Sequence, residues 1–273
     1  MSGRIARALA AAGLTAALLC GPAIGPAGAA AAATQVTITA DTMSVDATTR
    51  VGTATGRVRI TDGKTTATAA RATLNHREGR GVLSGQARAS GPQGVLEGDE
   101  ITVEYTTAVI TKITARGQAN LEVEGSLVSA QIVTIVPATD TVTAQRDVTF
   151  FTQPDIVARG AQLVYQRSQG TATLEGRARL QNRDGFVEGD RIDGFKRWER
   201  LVVTGDVHGA YRDIEVRSRA AEVLATEKKA VFTGEVRLSQ PGRRLTTEKV
   251  TVWYGAGRVV AEGQTWIRIE PIP

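Results

Sequence analysis

Residues 230–239 read AVFTGEVRLS. From Phe232 to Leu238 every second residue is apolar or glycine and the residues between are polar, which is the period-two pattern of a strand with one buried and one wet face. Gly234 lies on the buried parity, where it gives up packing area and weakens a strand, so a bulge, a bend or a close backbone approach has to justify it. The phrase returns as TATGRVRIT at 53–61 and ATLEGRARLQ at 172–181. Aligned on the glycine, eight copies are anchored at 56, 85, 117, 146, 176, 205, 234 and 263, in steps of 29, 32, 29, 30, 29, 29 and 29 residues. Arg146 replaces the glycine in the fourth copy. A glycine kept in seven of eight copies reads as a bend that every layer of the structure needs.

Between the anchors a second segment recurs, for example GDEITVEY at 98–105 and TEKVTVWY at 247–254. Turn residues such as Glu78-Gly79, Asp184-Gly185 and Pro241-Gly242 separate the two segment types and act as hairpin connectors. Each step therefore holds two strands and two turns. The expectation is an all-β chain: an open, antiparallel, twisted β-roll (a jellyroll-like solenoid) of about 16 strands, built from eight repeats of about 29 residues. Each repeat is expected to cross from one sheet to the other and back.

Residues 1–33 read as a signal peptide: Arg4 and Arg7, an uncharged apolar run from Ala8 to Leu19, then small residues up to Ala33. That run is too short to span a bilayer, which takes ~20 residues. The expected mature domain is 34–273, secreted across the inner membrane into the periplasm. Removing the leader takes two of the 33 basic residues and none of the 28 acidic ones, so 31 − 28 leaves a net charge of +3. It also removes Cys20, the only cysteine, so no disulfide holds the mature chain. Mild, dispersed basicity is not the footprint of a nucleic-acid binder.

Little in the sequence can do chemistry. His76 and His208 are the only histidines and stand far apart, which gives neither a zinc site of usual spacing nor a nucleophile–base couple. Glu97, Asp99, Glu188 and Asp190 flank Gly98 and Gly189 and read as turn residues. No catalytic residue, metal ligand or cofactor is assigned, and the chain reads as a non-enzyme. Trp198 falls in a charged, turn-like stretch, while Trp253 and Trp266 take the outward parity of the last two strands. The latter two either mark a partner surface or pack on each other.

The stretches TATGRVRITDGKTTATAARATL (53–74) and AVFTGEVRLSQPGRRLTTEKVTVWY (230–254) resemble the OstA-like (LptA/LptC-type) repeat of the periplasmic lipopolysaccharide-transport proteins. The resemblance implies an open β-roll whose greasy interior holds acyl chains and whose members join head to tail between the inner and outer membranes. The inward parity supports such an interior independently, because it is lined by apolar and often small residues such as Ala87, Ala89, Ala119, Ala178 and Gly209. The expected lipid-facing lining is Met43, Val45, Val58, Ile60, Leu83, Ile101, Val103, Leu121, Val123, Val148, Leu163, Leu174, Leu180, Val203, Val207, Phe232, Val236, Leu238, Val250 and Val252. The expected cargo is lipopolysaccharide or a similar acylated glycolipid. Val36 and Ile38 lie on an unprotected alternating strand and mark the edge where a like-folded roll, or a second copy, would add a strand. The competing reading is a structural or adhesive envelope solenoid without lipid, whose interior would be packed to native density.

Overall fold

The computed structural model describes residues 37–61, 65–91, 94–106, 109–123, 125–152, 155–195 and 198–269. The leader and Val36 lie outside the described residues. Eighteen strands and no helix occur among them. The first compact unit ends at Thr141 and the second begins at Val142. The first unit holds β1 (Thr37–Thr39), β2 (Thr42–Asp46), β3 (Val51–Thr61), β4 (Thr66–Asn75), β5 (Arg80–Gly91), β6 (Gly94–Thr106), β7 (Val109–Val123) and β8 (Ser126–Val136). The second holds β9 (Thr141–Thr152), β10 (Ile156–Gln166), β11 (Thr171–Gln181), β12 (Gly185–Phe195), β13 (Arg200–Tyr211) and β14 (Ile214–Leu224). It continues with β15 (Lys229–Gln240), β16 (Arg243–Trp253), β17 (Arg258–Glu262) and β18 (Trp266–Ile269).

Within each unit consecutive strands pair antiparallel along nearly their whole length. The excess over sixteen strands comes from the terminal rows. Both β1 and β2 lie on β3, and both β17 and β18 lie on β16, so each pair is one row broken in the middle. The all-β, antiparallel roll is therefore as expected. How it curls is not: consecutive strands stay side by side, and the bend lies inside each strand.

The bend is at the repeated glycine. On β3 the register breaks between Thr55 and Val58, so Gly56 and Arg57 face the single residue Ala70 of β4. The same two-against-one bulge recurs opposite Asp99, Gln131, Ala161, Asp190, Arg219 and Glu248. Both bulge residues have positive φ, as in Gly205 at 77° and Asp206 at 44°. The arrangement persists without glycine at Arg146 (65°) and Asp147 (55°). Left-handed backbone explains only part of the preference for glycine. A Cβ on Gly117 or Gly205 would also lie 2.1 Å from the carboxylate oxygen of Asp99 or Asp190. Bulges of this kind bend and twist a strand. Here they turn both halves of every long strand inward.

Parity confirms this geometry. The two-residue bulge keeps odd strands in phase: Ala54, Val58 and Ile60 of β3 are all buried. Even strands have one residue at the corner and change phase there. In β12, Val187 and Gly189 are buried, Asp190 and Arg191 are both exposed, and Ile192 and Gly194 are buried again. Gly98 and Gly189 are thus mid-strand corner residues, not turn residues. They are small because the corner is narrow: a Cβ on Gly189 would lie 2.8 Å from Val203 Cγ1.

Candidate functional site: the apolar interior

Seventeen of the twenty expected lining residues are buried: Val58, Ile60, Leu83, Ile101, Val103, Leu121, Val123, Val148, Leu163, Leu174, Val203, Val207, Phe232, Val236, Leu238, Val250 and Val252. Leu180 is half-buried. Met43 and Val45 share the inward parity of Ala54 and Gly52, yet are 58% and 71% exposed because no further strand covers β2 among the described residues. Ile38 pairs with Ile60 and is half-buried on the same edge.

The interior of the second unit contains a cavity of about 150 Å³. The pocket is partly open to solvent, and a space of this size accepts a small apolar guest such as benzene. Leu180, Leu201, Val216, Val223, Phe232 and Val252 form much of its wall, and Gly209 and Ala230 leave the space. A side chain on Gly209 would meet the Phe232 ring at 3.3 Å. Tyr211, at the end of β13, and Tyr254, just after β16, close one side with ring centroids 5.3 Å apart. Burial, with Tyr211 as neighbour, pushes the Tyr254 phenol above its ordinary pKa, so it stays neutral. A smaller void of about 20 Å³ in the first unit lies against Ile60, Leu83, Val103 and Tyr105. The Tyr105 hydroxyl is buried without a partner among the described residues, and burial raises its pKa.

Sequence reasoning missed the two tyrosines; Phe186 borders the cavity too, but its ring lies on the outer face against His208. A tyrosine near the end of three of the eight copies of the second segment (Tyr105, Tyr165, Tyr254) was the available signal for Tyr254, and Tyr211 had none.

The polar groups sit on the outer face. Arg179 bonds Glu188 at 2.7 Å and lies 3.7 Å over the Phe186 ring. His208 Nδ1 lies 3.1 Å from Glu188 Oε1, and its buried Nε2 has no partner among the described residues. Burial pushes Glu188 up, but the hydrogen bonds from His208 and Arg179 outweigh it and hold the carboxyl below its usual range. Asp193 is likewise held low, chiefly by hydrogen bonds from Arg191, against an upward push from burial. No cluster of three or more His, Cys, Asp or Glu suited to a metal occurs among the described residues. Trp198 is buried, 5.7 Å from Phe150. Trp253 lies under Arg258 and Trp266 is 73% exposed. Trp253 ends β16 opposite Arg258, whereas Trp266 on β18 lies opposite Thr246 on the other half of β16, so the two do not stack on each other.

What this arrangement can do is hold hydrocarbon inside a polar shell. A model of the family described as LptA/(LptD N-terminal domain) LPS transport protein matches residues 37–197 and 215–270. Among solved structures, the chain is similar to LptH from Pseudomonas aeruginosa, described as the LptA homologous periplasmic component of the conserved lipopolysaccharide transport device. That similarity has 19% identity over 44% of this chain and 96% of LptH, with a TM-score of 0.39. No protein of curated function matches the chain.

Proposed function

Because the chain belongs to the LptA/(LptD N-terminal domain) family of LPS transport proteins, we propose that it carries lipopolysaccharide across the periplasm with acyl chains in its apolar interior. The observation that carries this reading is the 150 Å³ cavity, walled by apolar side chains and already open between the strands of the second unit. Burying hydrocarbon yields ~0.8 kcal/mol per methylene, so ten methylenes supply about 8 kcal/mol, the scale of micromolar binding. That is tight enough to hold a lipid and weak enough to pass it on. The reading asks no bond-making chemistry of the protein.

The partners follow from the edge. Met43 and Val45 point inward but are uncovered, and Ile38 extends the same open row. A strand added by a like-folded roll, or by a second copy, covers them and continues the interior across the junction. Val36 belongs to this proposed edge.

Photo-cross-linking tests the cargo. A photoreactive residue at Phe232 or Leu180 is expected to label lipopolysaccharide, and one at the outward-facing Thr233 is not. Equal labelling from Thr233, or none from inside, overturns the carrier reading; an interior that never labels leaves an envelope scaffold without cargo.

A further inference from the structure

The register of the second unit distributes its outward charges unevenly between the two halves of the strands. On the half of each strand pair that includes Glu175 and Arg191, three outward rows carry four carboxylates (Glu175, Asp193, Glu222, Glu262) and five cations (Arg191, Lys249, Arg200, Lys229, Arg258). Four of those five are in ion pairs, Arg200 with Glu222 and Lys229 with Glu227 among them, and Arg258 lies over the Trp253 ring. Arg191 bonds Glu175 at 2.6 Å and Asp193 at 2.8 Å, and Lys249 pairs with Glu262.

Beyond the bulge cations outnumber carboxylates by far more. One row runs Arg159, Arg179, Glu188, His208, Arg217, Arg237 from β10 to β15. It continues through Thr246 to Trp266 on β18. The adjoining row adds Glu215, Arg244 and Arg268, so six arginines stand against two glutamates. Arg179 is taken by Glu188. Arg217 and Arg237 are exposed and directly opposite each other on β14 and β15. Neither has an ion pair or hydrogen bond among the described residues. Like charges in that relation cost stability, which an external anion would recover.

We propose that this arginine face docks on an anionic lipid headgroup surface, with Trp266 seated at headgroup level. Trp266 stands on the same face and is 73% exposed. An amphipathic indole beside guanidinium groups is suited to the membrane–water boundary, and basic residues near such a surface gain free energy from its negative potential. A protein partner fits less well. Protein interfaces bury aromatic anchors at a core depleted of charge, whereas this face has unpaired charge at its centre and its one exposed tryptophan at the rim. The proposal is independent of what the interior carries, and vesicles free of lipopolysaccharide test it alone.

The full chain is sedimented with phosphatidylcholine vesicles, with and without phosphatidylglycerol. Binding is expected only where phosphatidylglycerol is present, and to vanish between 0.1 M and about 1 M salt as screening shortens. Each arginine is expected to contribute about fivefold, so Arg217→Ser with Arg237→Ser weakens partition about 25-fold. Trp266→Ala weakens it further. Arg217→Lys with Arg237→Lys, which keeps the charge, binds like the parent. Arg77→Ser with Arg80→Ser in the first unit removes the same charge elsewhere and leaves binding in place. Equal binding to neutral vesicles, or equal loss in the Arg77/Arg80 pair, overturns the proposal. No vesicle binding by the parent overturns it too, and leaves the face to an acidic protein.

Discussion

Gly205 shows how much one position of the repeat demands. Its φ is 77°, and a Cβ there would lie 2.1 Å from Asp190 Oδ2 and 2.7 Å from Asp190 Cβ, so more than a flexible tip must move. Gly205→Ala is expected to cost about 2–3 kcal/mol: the left-handed penalty of ~1–2 kcal/mol plus displacement of Asp190. Gly52→Ala on β3, where nothing lies within 4 Å, is expected to be neutral or to stabilise by up to ~1 kcal/mol. Urea midpoints of the two variants check the contrast, and equal midpoints would refute this account of the anchor. The fourth copy runs the test in reverse. Arg146 already bears a φ of 65°. Arg146→Gly relieves ~1–2 kcal/mol of strain and loses about 1 kcal/mol to the freer unfolded chain. It should therefore match or slightly exceed the parent in the same urea titration, and a clear destabilisation would show that the Arg146 side chain holds something the backbone argument omits.

At the scale of the strand, half of the pattern was legible. The odd strands keep their phase through the bulge, so their alternation reads straight from the sequence and predicts sixteen rows. The even strands change phase at one residue, as β12 does at Asp190. That break resembles a turn in sequence, which is why Gly98-Asp99 and Gly189-Asp190 look like punctuation although they lie mid-strand. The count of two neighbours against one belongs to the pairing, and a single strand does not contain it. Cross-strand contacts such as the Arg191–Glu175 ion pair and the Thr173–Asp193 hydrogen bond were hidden for the same reason. Thr173 donates to Asp193 Oδ1 at 2.7 Å from the adjacent strand. A carboxyl whose folded pKa is depressed stabilises the fold above its unfolded pKa, ~3.9 for Asp, and that contribution disappears as pH falls through the lower folded value. Denaturant midpoints measured from neutral pH downward should therefore fall more steeply below about pH 4 for the parent than for Asp193→Asn. Parallel curves would mean that Asp193 gives the fold nothing beyond its surface exposure.

For the whole molecule, the sequence indicated a wet exterior and an apolar lining but not where space remains. The cavity arises where small residues on neighbouring strands, Gly209 and Ala230, coincide with rings from the strand ends, Tyr211 and Tyr254. The run of arginines along one outer face has the same origin. Both are properties of register, to which a one-dimensional repeat is blind. The cavity is also where the carrier reading is most exposed to test. Ala230 is 7% exposed, pairs with Val223 and Val252, and faces the void. Ala230→Leu adds three carbon atoms there and displaces about three methylenes of any bound chain, worth about 2.4 kcal/mol or some fiftyfold in affinity. The added carbons fill space, so the thermal midpoint should hold or rise while lipopolysaccharide binding, measured by titration calorimetry, weakens. Filling a cavity that serves no cargo would give the same thermal gain with affinity unchanged. Overpacking would lower both. Only loss of affinity at intact stability places an acyl chain in this part of the roll.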